Sequence, residues 1–427
     1  MNTLFRNIRA LMPDGTTRIT DVCVSGDRIS AVGEAPEAFR PDTVVNGSGK
    51  LLIPGLVNAH THVYMTMFRG CADDLPFTDW LFGHIDPLES KMTREDCYWA
   101  TLLGYMEMLS TGTTSSLDMY VFTESASRAA EESGVRAVLC RGLTGGATDV
   151  EGGARRIREA TEEIAAWNNR CSRVSFFLGP HAPYSCDLAY LKEVRALSDE
   201  LGLPMNIHLS EGTSEQAGIA EQYGCTPAEY LDRAGILKPG TVAAHCVYLN
   251  DNDIRLLAER GVSVVTNPIS NLKLGNGIAA VPKLLRAGIN VALGTDGAAS
   301  NNSLNLFRDL SYVCLLHKGT GLDPTLVSAA EGLKMATENG AAALGLTQVG
   351  RIEVGWKADL SVLDLDKPWL RPWVDVRSSL CYGATGTETE SVMVDGRFLM
   401  KNGEFLTIDR ERVLYEVDAI CRRMELL

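Results

Sequence analysis

Among the eleven cysteines of this 427-residue chain no two stand three positions apart. That excludes the Cys-x-x-Cys spacing of redox dithiols and zinc knuckles. Their number is odd, and several sit in apolar runs such as Ala244-His245-Cys246-Val247. They read as buried free thiols in a reducing cytoplasm. No apolar run approaches the length of a membrane span. The start, Met1-Asn2-Thr3-Leu4-Phe5-Arg6, lacks a basic stretch leading into an apolar one, so no signal peptide is expected. Positive charge is in deficit: Lys plus Arg is 40, Asp plus Glu is 54, and the net charge is −14. Such a chain repels phosphate backbones and anionic lipid, so neither nucleic acid nor membrane is an expected partner. What remains, 45% hydrophobic and 22% charged residues, is ordinary for a globular protein with a large core.

The two ends share one style. Arg18 to Val24 and Arg28 to Val32 are β-prone around Gly26-Asp27, and Ala358 to Asp364 and Ser391 to Val394 repeat the pattern before Asp395-Gly396. One small β-sandwich built from both termini, residues 1–55 with 350–427, is predicted. The middle, residues 56–349, alternates. Eight apolar runs read as buried strands: Leu51–Asn58, Thr114–Met119, Ala137–Leu143, Val174–Gly179, Met205–Leu209, Val242–Val247, Val262–Asn267 and Val291–Gly294. Helix-like stretches separate them, the first at 93–110, where Thr93 and Asp96 have the spacing of a capping box. Parallel strands need such crossovers, so a (β/α)8 barrel is predicted. An open doubly wound sheet is disfavoured, because no Gly-x-Gly-x-x-Gly follows the first strand.

Histidine is scarce, with seven in all. Five of them fall where the apolar runs stop, at the end of a barrel that carries active sites: His60, His62, His181, His208 and His245. Asp296 stands at the end of the eighth run. His60 and His62 are two apart on a strand and share a face. Those imidazoles, with a third from strand 5 and a carboxylate from strand 8, make an N/O set suited to a divalent transition metal, zinc first. Glu211, three after His208, is placed to move protons there; it reads equally as a helix-start residue. The fourth run holds no lysine that could be carboxylated to bridge a second ion, so one metal per chain is expected.

With Pro54-Gly55-Leu56-Val57-Asn58-Ala59-His60-Thr61-His62, His208-Leu-Ser-Glu211, the His245 strand and Thr295-Asp296-Gly297, the chain resembles the amidohydrolase superfamily over essentially its whole length. Gly179-Pro180-His181-Ala182-Pro183-Tyr184, Asn267 to Gly275 and Gly294 to Ser303 are most similar to the 5-methylthioadenosine/S-adenosylhomocysteine deaminases. The resemblance implies zinc-dependent deamination of adenosine-type nucleosides. The metal ligands would be His60, His62, His208 and Asp296, with Glu211 as proton shuttle and His245 as a hydrogen-bonding group beside the reacting water. It implies substrate roles for Glu89, on the ribose hydroxyls, for His181, and for Arg141 and Arg155, with Arg156 as the alternative to Arg155. Arg141 would hold the carboxylate of an S-adenosylhomocysteine tail. Guanine, 8-oxoguanine and s-triazine hydrolases share the frame and are the alternative. A cytoplasmic homo-oligomer is expected. The 63–92 stretch, long for a connection after a strand and rich in apolar groups, is expected to cover the pocket.

Overall fold

The computed structural model describes residues 1–168 and 170–426. Five strands come first: β1 (Asn2–Leu11), β2 (Thr17–Ser25), β3 (Arg28–Gly33), β4 (Thr43–Asn46) and β5 (Lys50–Pro54). Nine follow in the middle of the chain: β6 (Leu56–Thr61), β7 (Thr113–Tyr120), β8 (Arg136–Leu143), β9 (Val174–Phe176), β10 (Gly179–Pro180), β11 (Asn206–Leu209), β12 (Val242–His245), β13 (Ser263–Thr266) and β14 (Val291–Leu293). The chain ends with β15 (Leu360–Asp364), β16 (Thr389–Val394), β17 (Arg397–Lys401) and β18 (Glu404–Phe405).

The middle strands form the barrel. β6 to β10 pair in parallel, as do β11 to β14. Two seams join these halves. Leu178 and Met205 form a parallel bridge, and the Asp296 N–H donates to the His60 carbonyl at 3.1 Å. Gly294 permits the second seam, because a Cβ there would lie 2.7 Å from the His60 carbonyl oxygen. The connecting helices carry the expected caps. Arg94–Ser110 opens with the Thr93/Asp96 capping box read from the sequence, and Asp251–Arg260 with an Asn250/Asp253 box, each satisfying backbone donors that no helical carbonyl reaches.

Two predicted strands are drawn differently. Leu51–Asn58 is not one element: β5 belongs to the sheet of the termini and β6 to the barrel. The break is Gly55, whose missing side chain leaves room for Thr114. Apolar residues run through both, so hydrophobicity does not mark the change of sheet. Val174–Gly179 is likewise interrupted between β9 and β10.

Both termini build one sheet in the order β18-β17-β16-β15-β5-β1-β2-β3, with β4 beside β1. Four strand steps separate β17 from β1, which is about 19 Å in a flat sheet. The rings of Phe398 and Phe5 nonetheless stand 6.2 Å apart, so the sheet folds over its own apolar core as a small sandwich. The Ile29 N–H reaches the Trp356 carbonyl at 2.9 Å and helps close it. The sandwich grips the barrel through buried charge. Arg136, first residue of β8, donates to Asp359 at 2.7 and 3.1 Å and to Asp395 at 2.5 Å.

Candidate active site

Four of the five strand-end histidines and Asp296 converge at one mouth of the barrel. The metal-binding atoms of His60, His62 and His208 lie within 4.8 Å of one another, and so do those of His60, His245 and Asp296. The Nε2 atoms of His62 and His208 are 3.3 Å apart. The Asp296 Oδ1 is 3.2 Å from His62 Nε2 and 3.6 Å from His60 Nε2. Main-chain carbonyls fix two of the rings: His62 Nδ1 donates to Met119 at 3.1 Å and His208 Nδ1 to His181 at 2.7 Å. Those contacts turn both Nε2 lone pairs inward. The other carboxylate oxygen, Asp296 Oδ2, accepts from the hydroxyls of Ser270 (2.6 Å) and Ser300 (2.7 Å).

These residues fit a cation. Both ring nitrogens of His60 are buried without a hydrogen-bond partner among the described residues, a costly arrangement unless something else occupies them. Burial lowers the His60 pKa to about 4 and drives His208 well below the usual value, which keeps both imidazoles neutral, the form that ligates metal. Burial also pulls His62 down, but the hydrogen bond and field of Asp296 outweigh it and hold its pKa at about 9. Burial would raise Asp296; the imidazoles of His60 and His62 close to its carboxylate prevail and hold it well below the ordinary carboxylate range. The cluster therefore favours a positive charge at its centre. Its backbone is unusual too. Ser210, His245 and Asp296, at the ends of β11, β12 and β14, have φ of 52°, 71° and 62°, a region that costs non-glycine residues energy and gathers at functional sites.

Glu211 and His245 stand beside the cluster, with Glu211 Oε2 and His245 Nε2 3.9 Å apart. His245 Nδ1 is bonded to Asn271 Oδ1 at 2.8 Å, so its Nε2 faces the cavity. Glu211 Oε1 accepts from Asn276 at 3.1 Å, which leaves Oε2 free. Burial pushes the Glu211 pKa up, as a carboxyl that must hold a proton near neutrality requires. His181 lines the same cavity with Nδ1 against Ser185 at 2.8 Å; burial brings its pKa down to about 4.

The cavity is about 320 Å³, a size that suits a small organic ligand. Its outer wall comes from the 63–92 connection, which includes a π-helical turn at Asp79–Ile85 and lends Phe77, Trp80, Phe82 and Glu89 to the lining. The expected cover is thus in place. Burial raises the Glu89 carboxyl to about 7. Arg141 also lines the cavity, but its guanidinium is engaged by Glu159 and the Val121 carbonyl. Arg155 is not brought to the site. It lies on the outer face of its helix, 59% exposed and 3.9 Å from Glu159, while Arg156 faces the cavity. A helix turns each residue about 100° from the last, so the arginine pair puts only one member inward. Ser270, Ser300, Asn271, Asn276 and Glu215 escaped the sequence reading. Only their closeness to the marked motifs signalled them.

Comparison with known proteins agrees with this geometry. The amidohydrolase family model matches residues 51–399. A 5-methylthioadenosine/S-adenosylhomocysteine deaminase of Caldanaerobacter subterraneus subsp. tengcongensis is 44% identical over 98% of this chain and 97% of its own. A 5′-deoxyadenosine deaminase of Methanocaldococcus jannaschii is 43% identical over 92% and 94%. Among solved structures, an adenosine deaminase from Xanthomonas campestris with bound zinc superposes with a TM-score of 0.94 at 34% identity, covering 100% of this chain and 99% of that one. The barrel, the histidine cluster and full-length likeness of this degree lead to one statement: the chain belongs to the amidohydrolase family.

Proposed function

We propose that the protein is a zinc-dependent hydrolase that deaminates adenosine-type nucleosides modified at the 5′ position, 5-methylthioadenosine and S-adenosylhomocysteine among them. The product is the inosine-type nucleoside, with release of ammonia. One observation carries the reading: Glu211, with a free and buried oxygen, lines a single cavity with His62, His208 and Asp296, and His60 clusters with those side chains. The names of the full-length relatives support the substrate class.

One zinc ion, held by those three histidines and Asp296, would supply Lewis acidity and make hydroxide available near neutral pH. The chain's own residues do the rest. Asp296 Oδ1 and His245 Nε2 orient the attacking oxygen toward C6 of the purine. Glu211 Oε2 takes a proton from the attacking water and gives it to the ring nitrogen as the bond to oxygen forms, then carries the remaining proton of that oxygen to the amine, which leaves as ammonia when its bond to C6 breaks. His181 Nε2 meets the base edge, and Glu89 accepts hydrogen bonds from the ribose hydroxyls. The apolar side chains of 63–92 exclude bulk water. The catalytic unit is the barrel, 56–349, and the sandwich of 1–55 with 350–427 supports it. Eight of the eleven cysteines are buried and all are free, which supports a cytoplasmic setting. Exposed apolar residues on and beside two packed helices, Tyr312, Leu315, Trp369 and Tyr382, support a homo-oligomer.

Ammonia release from a panel of 5′-modified adenosines, guanine, 8-oxoguanine and s-triazines tests the reading. Turnover confined to the nucleosides is expected. Preference for a free base or a triazine overturns it.

A further inference from the structure

The cavity has a polar wall whose cations are already taken. Among the described residues, Arg141 and Arg156 are the arginines that line it, and no lysine does. Arg141 is 8% exposed. Its guanidinium meets Glu159, the Val121 carbonyl and, at 3.7 Å, Glu163. Arg156 donates to the Thr144 carbonyl at 2.9 Å and to Asp149 at 2.8 Å. The lining also holds the carboxyl groups of Asp86, Glu89, Glu211 and Asp296, the last of them against the histidine cluster. Beside this wall stand Met65, Phe77, Leu81 and Val121, which offer apolar surface and no side-chain donor for an anion.

We propose that Glu159 sets the choice of 5′ substituent by keeping Arg141 occupied, so that adenosines with a small uncharged 5′ group are taken in preference to those ending in a carboxylate. The inference rests on the nucleoside reading and deepens it. A carboxylate tail would have to compete with Glu159 for Arg141, and Asp86 and Glu89 share the lining with it. Like charge against a partner's charge is an effective means of discrimination. A methylthio group or a bare 5′ methyl needs neither step and gains from the apolar side. Glu159 touches no part of the cavity itself and acts through the arginine. Glu163 cannot substitute fully, since it also serves the Thr123 hydroxyl and Arg94.

The test is kcat/KM for 5-methylthioadenosine and for S-adenosylhomocysteine, in the wild type, in Glu159→Gln and in Glu162→Gln, an exposed neighbour on the same helix. The wild type is expected to favour methylthioadenosine by at least about tenfold, the scale of one charge-assisted hydrogen bond. In Glu159→Gln the ratio should move toward S-adenosylhomocysteine by about the same factor, and in Glu162→Gln it should stay. Equal use of both substrates by the wild type overturns the inference without any variant. So does an unmoved ratio in Glu159→Gln, or an equal move in Glu162→Gln. Those outcomes leave deamination standing. No ammonia from either nucleoside overturns the deaminase reading and this inference with it.

Discussion

Glu215 grips Glu211 by the main chain: its two carboxylate oxygens accept the N–H groups of Ser210 and Glu211, each at 2.9 Å. The grip fixes the bend after β11, where Ser210 has φ of 52°, and thereby aims the Glu211 side chain. Glu215→Ala removes both acceptors. A small misplacement of a proton-transfer group lowers rate more than binding, so kcat is expected to fall roughly 10- to 100-fold with KM little changed. Glu215→Gln, with one acceptor left, should fall between. An unchanged kcat in both variants shows that Glu215 serves only the fold.

Glu211→Gln keeps the size of the group and its bond to Asn276 but cannot carry a proton back and forth. It should bind metal and nucleoside and lose at least about 10²-fold in kcat. Elemental analysis together with steady-state kinetics checks both halves. Turnover near wild type returns Glu211 to the role of a helix-start residue.

Ser270 and Ser300 hold the oxygen of Asp296 that faces away from the cluster. The groups that orient metal ligands contribute to affinity on the order of 10- to 100-fold. Purified protein should contain about one equivalent of zinc or a similar ion, and chelation should abolish activity. Ser270→Ala and Ser300→Ala should each lose metal to a chelator at lower concentration than wild type. Two tightly held ions per chain contradict the four-residue cluster.

The metal-binding cluster was legible because its chemistry restricts residue type. Imidazoles at His60, His62, His208 and His245 have few other reasons to sit at the same ends of three barrel strands, and the whole chain has seven. The supporting groups were not legible. Ser270, Asn271 and Asn276 belong to residue types that any loop uses, and two of the key partners, the carbonyls of Met119 and His181, have no sequence signature at all. The helix over 93–110 was readable from its cap, which is local. The division of Leu51–Asn58 was not, because both sheets bury apolar residues there and only Gly55 marks the crossing.

Arg136 ties barrel to sandwich from a site where little water reaches, with side-chain exposures of 5% for Arg136, 1% for Asp359 and 10% for Asp395. Removing the cation leaves the buried Asp359 carboxylate without its partner and Asp395 with Lys357 alone. Arg136→Met should therefore destabilise the protein by about 3–5 kcal/mol, the usual cost of breaking a buried pair from one side. Urea unfolding followed by fluorescence measures it. A loss no larger than that of an exposed pair, such as the one removed by Arg412→Ala, would mean that the network contributes nothing to holding the units together.

Glu89 supplies a prediction in pH. Burial raises its carboxyl to about 7, and the nearby His62 charge acts the other way. To accept hydrogen bonds from the two ribose hydroxyls the group must be ionised. The sign follows: the useful form is lost as pH falls through the pKa, so kcat/KM for a nucleoside should decline on the acid side with a midpoint at about 7 or below. A cation at the histidine cluster takes the place of the His62 charge, because a ligating imidazole is neutral, and it too moves the midpoint down. Well below the midpoint the decline approaches about tenfold per pH unit. Glu89→Gln cannot ionise. Its kcat/KM at pH 8 should be about 10- to 100-fold below wild type, the scale of lost charge-assisted hydrogen bonds, and its acid limb should flatten. A 2′,3′-dideoxyadenosine, with no diol to bind, should show little difference between wild type and Glu89→Gln at any pH. If the acid limb survives unchanged in Glu89→Gln, it belongs to another group, and Glu89 is not the residue that reads the ribose.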